Sequence, residues 1–342
     1  MIGEGGLFSS RTPRRRGTVL IVVLWVLIVL SLLVGTLAFE MQVEANVTSY
    51  YRKRFKAQYL ARAGIEYAKM MLMSGRQFGE EMEDEHPELV LATQLLNRGN
   101  PISGFRQDLG PGGFELQFIP EQGRRNVNRL TPDDWREILD QGQVPSDRWD
   151  ELIDAFFDWI DADDAHRVNG AESDDSFYED RGYEVKNGPV DTIDELLLIK
   201  GFSPSIVYGG PADNDEDPPL SGLAQWMTTW GDGRVNVNAA NREVLMTLPE
   251  VDEWMVDAIL EGRAGLDGEF GTEDDGFTDI NEVLAVTGLG ATFSGRITTT
   301  EHRFLRVISQ GEVQGVRAGI WAVFRYDGAS LVPLYWREEL MQ

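Results

Sequence analysis

Apolar residues follow three different patterns along this chain. Between residues 18 and 39 they are continuous, 22 positions without a charge. As a helix rising ~1.5 Å per residue this run would be about 33 Å long, enough to cross a hydrocarbon core of ~30 Å. From Glu40 to about Met73 the pattern becomes helical. Tyr59, Ala63, Tyr67 and Met71 recur at helical spacing, as do Leu60, Ile65, Ala68 and Leu72, and Gly64 is the one glycine in a stretch without proline. The two stretches predict one helix of ~50 residues, half apolar all round and half amphipathic.

The third pattern has a period of two. Residues 113–119 alternate apolar and polar as a half-buried strand does, Gln122-Gly123 turns the chain, and residues 125–128 begin a partner strand. Alternation returns at 304–309 and 316–326, with Val316, Ala318, Ile320, Ala322 and Phe324 on one face and residues 311–315 covering the turn. Residues 331–336 read as a last edge strand. The segment 74–111 is polar and broken by glycine and proline, with room for a short helix at 88–97.

Between the two strand regions the sequence is helical. Thr131 caps a helix with Pro132 at its first position and Asp133 and Asp134 in its first turn. Trp149, Leu152, Ile153, Phe156 and Ile160 form the apolar stripe of the next, and 194–199 supply another, ended by Gly201. A second module starts at Arg234: a helix, a turn at Leu248-Pro249-Glu250, a helix, and a short helix at 279–286 before Gly288. The partition is therefore 1–17 leader, 18–73 long helix, 74–129 first part of a sheet, 130–232 and 233–297 two helical modules, and 298–342 closing strands. The fold class is α+β: an N-terminal transmembrane helix packed on a small antiparallel sheet that is interrupted by a large helical insert.

The flanks orient the apolar run. Arg14, Arg15 and Arg16 precede it and Glu40 and Glu44 follow, which places everything after Phe39 outside the cytoplasm. The run exceeds the 7–15 residues usual for a secretory signal and contains no A-x-A site. Net charge is −26, with a leader contribution of +3, and there is no cysteine. Such a chain repels nucleic acid, attracts divalent cations and cannot use disulfides. Three histidines, none in an HExxH or triad-like setting, argue against an enzyme.

Arg16-Gly17 directly before an apolar helix resembles the leader junction of type IV pilin-like proteins. The resemblance implies a prepilin peptidase that cuts after Gly17 and leaves Thr18 as the first residue. Val22 then stands fifth, where most members of that superfamily carry a glutamate that docks on the neighbouring subunit's amine. A subunit without that charge fits the end of a fibre better than its repeating body. Asp158-Trp159-Ile160-Asp161, Gly170-Ala171-Glu172, the run 183–187, and the helix around Glu195-Leu196 that ends in Lys200-Gly201 resemble the inserted domain of K-class minor pseudopilins of type II secretion systems. That resemblance implies minor pseudopilins of the I and J classes and the major pseudopilin as partners, an inner-membrane anchor with its bulk in the periplasm, and bound calcium.

The acidic loops bear on the metal. Residues 213–217 begin like an EF-hand, but Pro218 and Ala224 stand where its glycine and bidentate glutamate belong. Candidate calcium ligands are Asp158, Asp161, Asp163 and Glu172 in one cluster and Asp267, Glu269, Asp274, Asp275 and Asp279 in the other, each open to the alternative of a solvated acidic loop. The second module is also similar to a helix-hairpin-helix (SAM-like) unit, which raises a competing function, a membrane-anchored DNA receptor or a minor pilin of a competence or type IV pilus system. Residues 234–290 carry three arginines against thirteen carboxylates. Phosphate binding needs the opposite balance, so no nucleic acid is expected.

Overall fold

The computed structural model describes residues 16–74, 87–212, 218–299, 303–326 and 330–339. The leader up to residue 15, the acidic run 213–217, His86 and His302 lie outside these. The chain divides into two compact units, one up to Lys56 and one from Ala57.

Helix α1, Arg16–Ser74, is continuous over 59 residues, as the pattern predicts. In the first unit its apolar run is exposed on every side, from Leu20 at 71% to Phe39 at 68%. In water this exposure would be strongly unfavourable. In lipid it is what a spanning helix requires.

In the second unit the remainder of α1 lies on a five-stranded antiparallel sheet of order β1-β2-β7-β8-β9, formed by Ile102–Leu109, Gly112–Pro120, Phe304–Val313, Val316–Tyr326 and Leu331–Glu339. Small residues let helix and sheet approach. A Cβ on Gly311 would collide with the Ala57 carbonyl oxygen, and one on Gly64 with the Ser309 hydroxyl and the Phe114 ring. Around this seam Ile65, Ala68 and Met71 pack on Phe114, Leu116, Phe118, Val307, Ile320 and Phe324, and Leu89, Ala92 and Leu96 of helix α2, Pro87–Asn97, close the side. Two expectations change here. Strand β1 was not foreseen, because its mostly exposed edge position leaves no alternation to read. Gly311 is not in a turn: β7 runs on to Val313, and the glycine serves the helix contact.

Strand β2 ends at Pro120 and β7 returns beside it, pairing Pro120 with Leu305, so the insert leaves and rejoins the sheet at neighbouring points. Residues 125–128 do not extend the sheet. Strand β3, Arg125–Asn126, instead pairs in parallel with β4, Met227–Thr228, and β5, Val235–Asn236, pairs in the same way with β6, Ile297–Thr298.

These two ribbons open and close two copies of one module. In each, Asn-Val-Asn leads in: Asn126 accepts from the Asn128 amide and Asn236 from the Asn238 amide. Asn128 then grips the backbone of Val190 at both ends, at 2.9 and 2.8 Å, and Asn238 grips Phe277 at the same two distances. A capped helix follows, α3, Pro132–Gln141, in the first copy, with Thr131 as cap, and α7, Arg242–Met246, in the second, with Asn241 as cap. Next come α4, Trp149–Ile160, and α8, Glu253–Gly262, then a long loop, which in the first copy holds the short α5, Ser176–Glu179. After it stand, in the first copy, a 3-10 helix, Ile193–Leu198, followed by left-handed Gly201 at φ 87 and then α6, Pro204–Tyr208, and, in the second, α9, Ile280–Thr287, capped by left-handed Gly288 at φ 71. One apolar core runs through both copies, with Trp135, Phe156, Tyr178 and Trp226 in the first and Val244, Val256, Ile259 and Ile297 in the second.

Candidate functional site

The first copy's long loop, 161–189, carries the chemistry. Asp158, in the last turn of α4, is fully buried and accepts the Arg167 amide at 3.2 Å. Burial pushes its carboxyl pKa up. Gly170 leaves the space it occupies, since a Cβ there would meet Asp158 Oδ2. Glu172 is 1% exposed, and neither of its carboxylate oxygens has a partner; Asp161 Oδ1 and the side-chain oxygen of Asn187 are buried and unpartnered too.

An unpaired buried carboxylate is strongly disfavoured. Burial first, then the charges of Asp158, Asp161 and Asp164, push the Glu172 pKa up to about 7. Four orphaned oxygens, with the two further carboxylates of Asp158 and Asp164 near Glu172, are of the kind a hard cation takes, since calcium accepts carboxylate, amide and carbonyl oxygen together. Among the described residues no group of three Asp, Glu, His or Cys side chains is placed to hold a metal ion by itself. Of the predicted ligands, Asp158 and Asp161 lie near enough to Glu172 for their charges to raise its pKa. Asp163 is turned to solvent and caps the Ala165 amide. The sequence reading missed Asn187 and Asp164, which Asn187 Nδ2 holds at 3.0 Å. The pointer to Asn187 is its backbone, at φ 48, a conformation asparagine tolerates better than most residues.

The second cluster is built differently. Asp274 accepts from the Leu266 amide and the Thr272 hydroxyl, Asp275 from the Gly271 amide, Asp267 from the Glu269 amide, and Asp279 caps α9. These carboxylates are occupied in shaping turns. Asp274 is held ionised by the Leu266 amide and then the Thr272 hydroxyl, and its pKa is lowered accordingly.

At the N-terminal end, Gly17 and Thr18 lie in the first turn of α1, and Val22 is 61% exposed amid Ile21, Trp25 and Val26.

Residues 114–208, from strand β2 through most of the first module, match the family described as type II secretion system protein K. Among solved structures the chain resembles one from the GspK-GspI-GspJ complex of the enterotoxigenic Escherichia coli type 2 secretion system, at 14% identity and a TM-score of 0.54, over 88% of this chain and 99% of that one. The likeness supports the fold. No curated protein matches the sequence. The protein K segment contains the whole orphaned-oxygen cluster, Asp158 to Asn187.

Proposed function

We propose that this chain is a K-class minor pseudopilin that ends a short periplasmic fibre of a type II secretion system, helping to move folded proteins across the outer membrane. The protein K match over residues 114–208 carries the reading. The apolar half of α1 is the inner-membrane anchor, and prepilin peptidase releases it between Gly17 and Thr18. Val22 offers no carboxylate to a subunit beyond, which suits the last position. I- and J-class minor pseudopilins are the neighbours, as in the complex of the similar structure. A shallow groove of about 660 Å³, lined by Tyr67, Met70, Leu89, Gln107, Leu109 and Phe114, is where a neighbour's helix would lie. Calcium is held by Asp158, Asp161, Glu172 and Asn187, and it neutralises carboxylates that would otherwise repel one another.

The DNA-receptor alternative loses support at the helix starts. Asp252 fills the amide end of α8 with its own carboxylate, where a phosphate would have to bind. N-terminal sequencing of the protein purified from membranes tests the main reading. A start at Thr18 is expected; an intact leader, or a start near residue 40, would remove it.

A further inference from the structure

The two modules solve the same loop in opposite ways. The first loop buries Ala171, Tyr178 and Val185, exposes the smaller Val168, and leaves inward carboxylate oxygens unpartnered. Its counterpart in the second module, residues 263–276, satisfies Asp267, Asp274 and Asp275 on backbone amides and turns large apolar side chains outward. Leu266 is 101% and Phe270 71% exposed.

This outward display sits on a fixed frame. Asp274 receives the Leu266 amide at 2.6 Å, and Asp275 receives the Gly271 amide at 2.6 Å. Gly276 donates to the Arg263 carbonyl at 2.8 Å. From outside the module, Arg98 donates to the Glu273 and Asp275 carbonyls, and Asn100 Nδ2 to the Asp275 carbonyl at 3.2 Å. Left-handed Gly265, Gly268 and Gly271 make the turns that throw Leu266 and Phe270 out. A loop this well tied gains nothing from exposing a leucine and a phenylalanine unless something covers them, and large exposed apolar side chains among polar ones mark contact sites.

Charge decides what covers them. Asp267, Glu269 and Glu273 are exposed around the pair, and the insert as a whole, residues 130–297, has 10 lysines and arginines against 39 aspartates and glutamates. An anionic lipid surface or a second acidic insert would be repelled. We infer that Leu266 and Phe270 form a docking knuckle for another protein, whose complementary surface is an apolar pocket rimmed by lysine and arginine. The pair supplies contact area, and the carboxylates supply steering and register.

Photo-cross-linking tests this in the full chain in its own membranes. A benzophenone amino acid replaces Phe270, and the adduct is mapped by mass spectrometry. Val168 is 97% exposed in the first module's loop and serves as the control position. The expected result is an adduct to one protein, at an apolar segment flanked by lysine or arginine. Its yield should fall about fivefold when salt is raised from roughly 50 to 500 mM, because exposed charge pairs are screened over that range. A Leu266→Asp change should remove most of the adduct without shifting the melting temperature. The proposal is overturned by an adduct no stronger than at Val168, one to lipid or to a second copy of this chain, one to a segment lacking basic residues, or one indifferent to salt and to Leu266→Asp. A Thr18 start with any of these outcomes leaves the pseudopilin reading standing and removes only the knuckle.

Discussion

Glu172 shows how one side chain can report on a ligand. Its pKa of about 7 lies above the ~4.3 of an exposed glutamate, so metal-free folded protein retains a proton that the unfolded chain has released. Stability from that proton is complete below about pH 4 and is lost as pH rises through 7. On the proposed reading calcium would replace the proton, so stabilisation by calcium should grow over the same interval. Thermal melts at pH 5 and pH 7.5 should show a larger drop on chelation at the higher pH, and Glu172→Gln should abolish the difference; equal drops would count against the ion. Gly311 makes the opposite kind of point, a residue that matters for what it lacks. Gly311→Val would drive a side chain into the Ala57 carbonyl and should cost about 3 kcal/mol or more in urea unfolding, at the upper end for overpacked cores.

Among elements, the join between sheet and insert is the critical one, and it rests on a buried carboxylate. Glu121, fully buried just past β2, accepts from Arg306 of β7 at 2.5 Å and from Thr228 of β4 at 2.7 Å, with Arg124 at 3.6 Å. It ties the start of the insert, the end of the first module and the returning strand. Glu121→Gln leaves half-buried Arg306 without its carboxylate and should cost about 2 kcal/mol. Hydrogen exchange should rise at 226–230 and 304–308 together; a rise in only one of them would mean that the join is not shared. A second tie links the modules, Asp134 receiving Arg125 at 2.5 Å and Arg296 at 3.2 Å. Much of this architecture is legible in the sequence. The continuous and then amphipathic helix, β2, β8 and the capped helix after Thr131 each rest on local periodicity or on a cap, and local physics is enough to find them. The parallel ribbons and the duplicated module are not local. Asn126-Val127-Asn128 looks like the start of a hairpin until its partner, a hundred residues on, is known. The repeat could have been found from Asn-Val-Asn followed three residues later by a capping Thr131 or Asn241. Among the candidate ligands, acidic composition marks both loops alike. Only the unpartnered oxygens separate the cluster at Asp158, Asp161 and Glu172 from the one whose carboxylates fold the chain.

Taken whole, the molecule keeps its charge in one place. The insert's 10 basic and 39 acidic residues exceed the net charge of the full chain, so the anchor, sheet and leader together are slightly basic. A fibre subunit must pack closely with its neighbours through the anchor helix and sheet, and near-neutrality there permits it. A strongly acidic insert would repel a second copy stacked above it, which favours one such subunit per fibre, at its end. Isolation of the full chain from its membranes in mild detergent, with quantification of what accompanies it, measures this directly. The predicted result is one copy of this chain, starting at Thr18, with one each of two other pilin-like proteins. Recovery of the chain alone, as a homopolymer, or with bound DNA would contradict it.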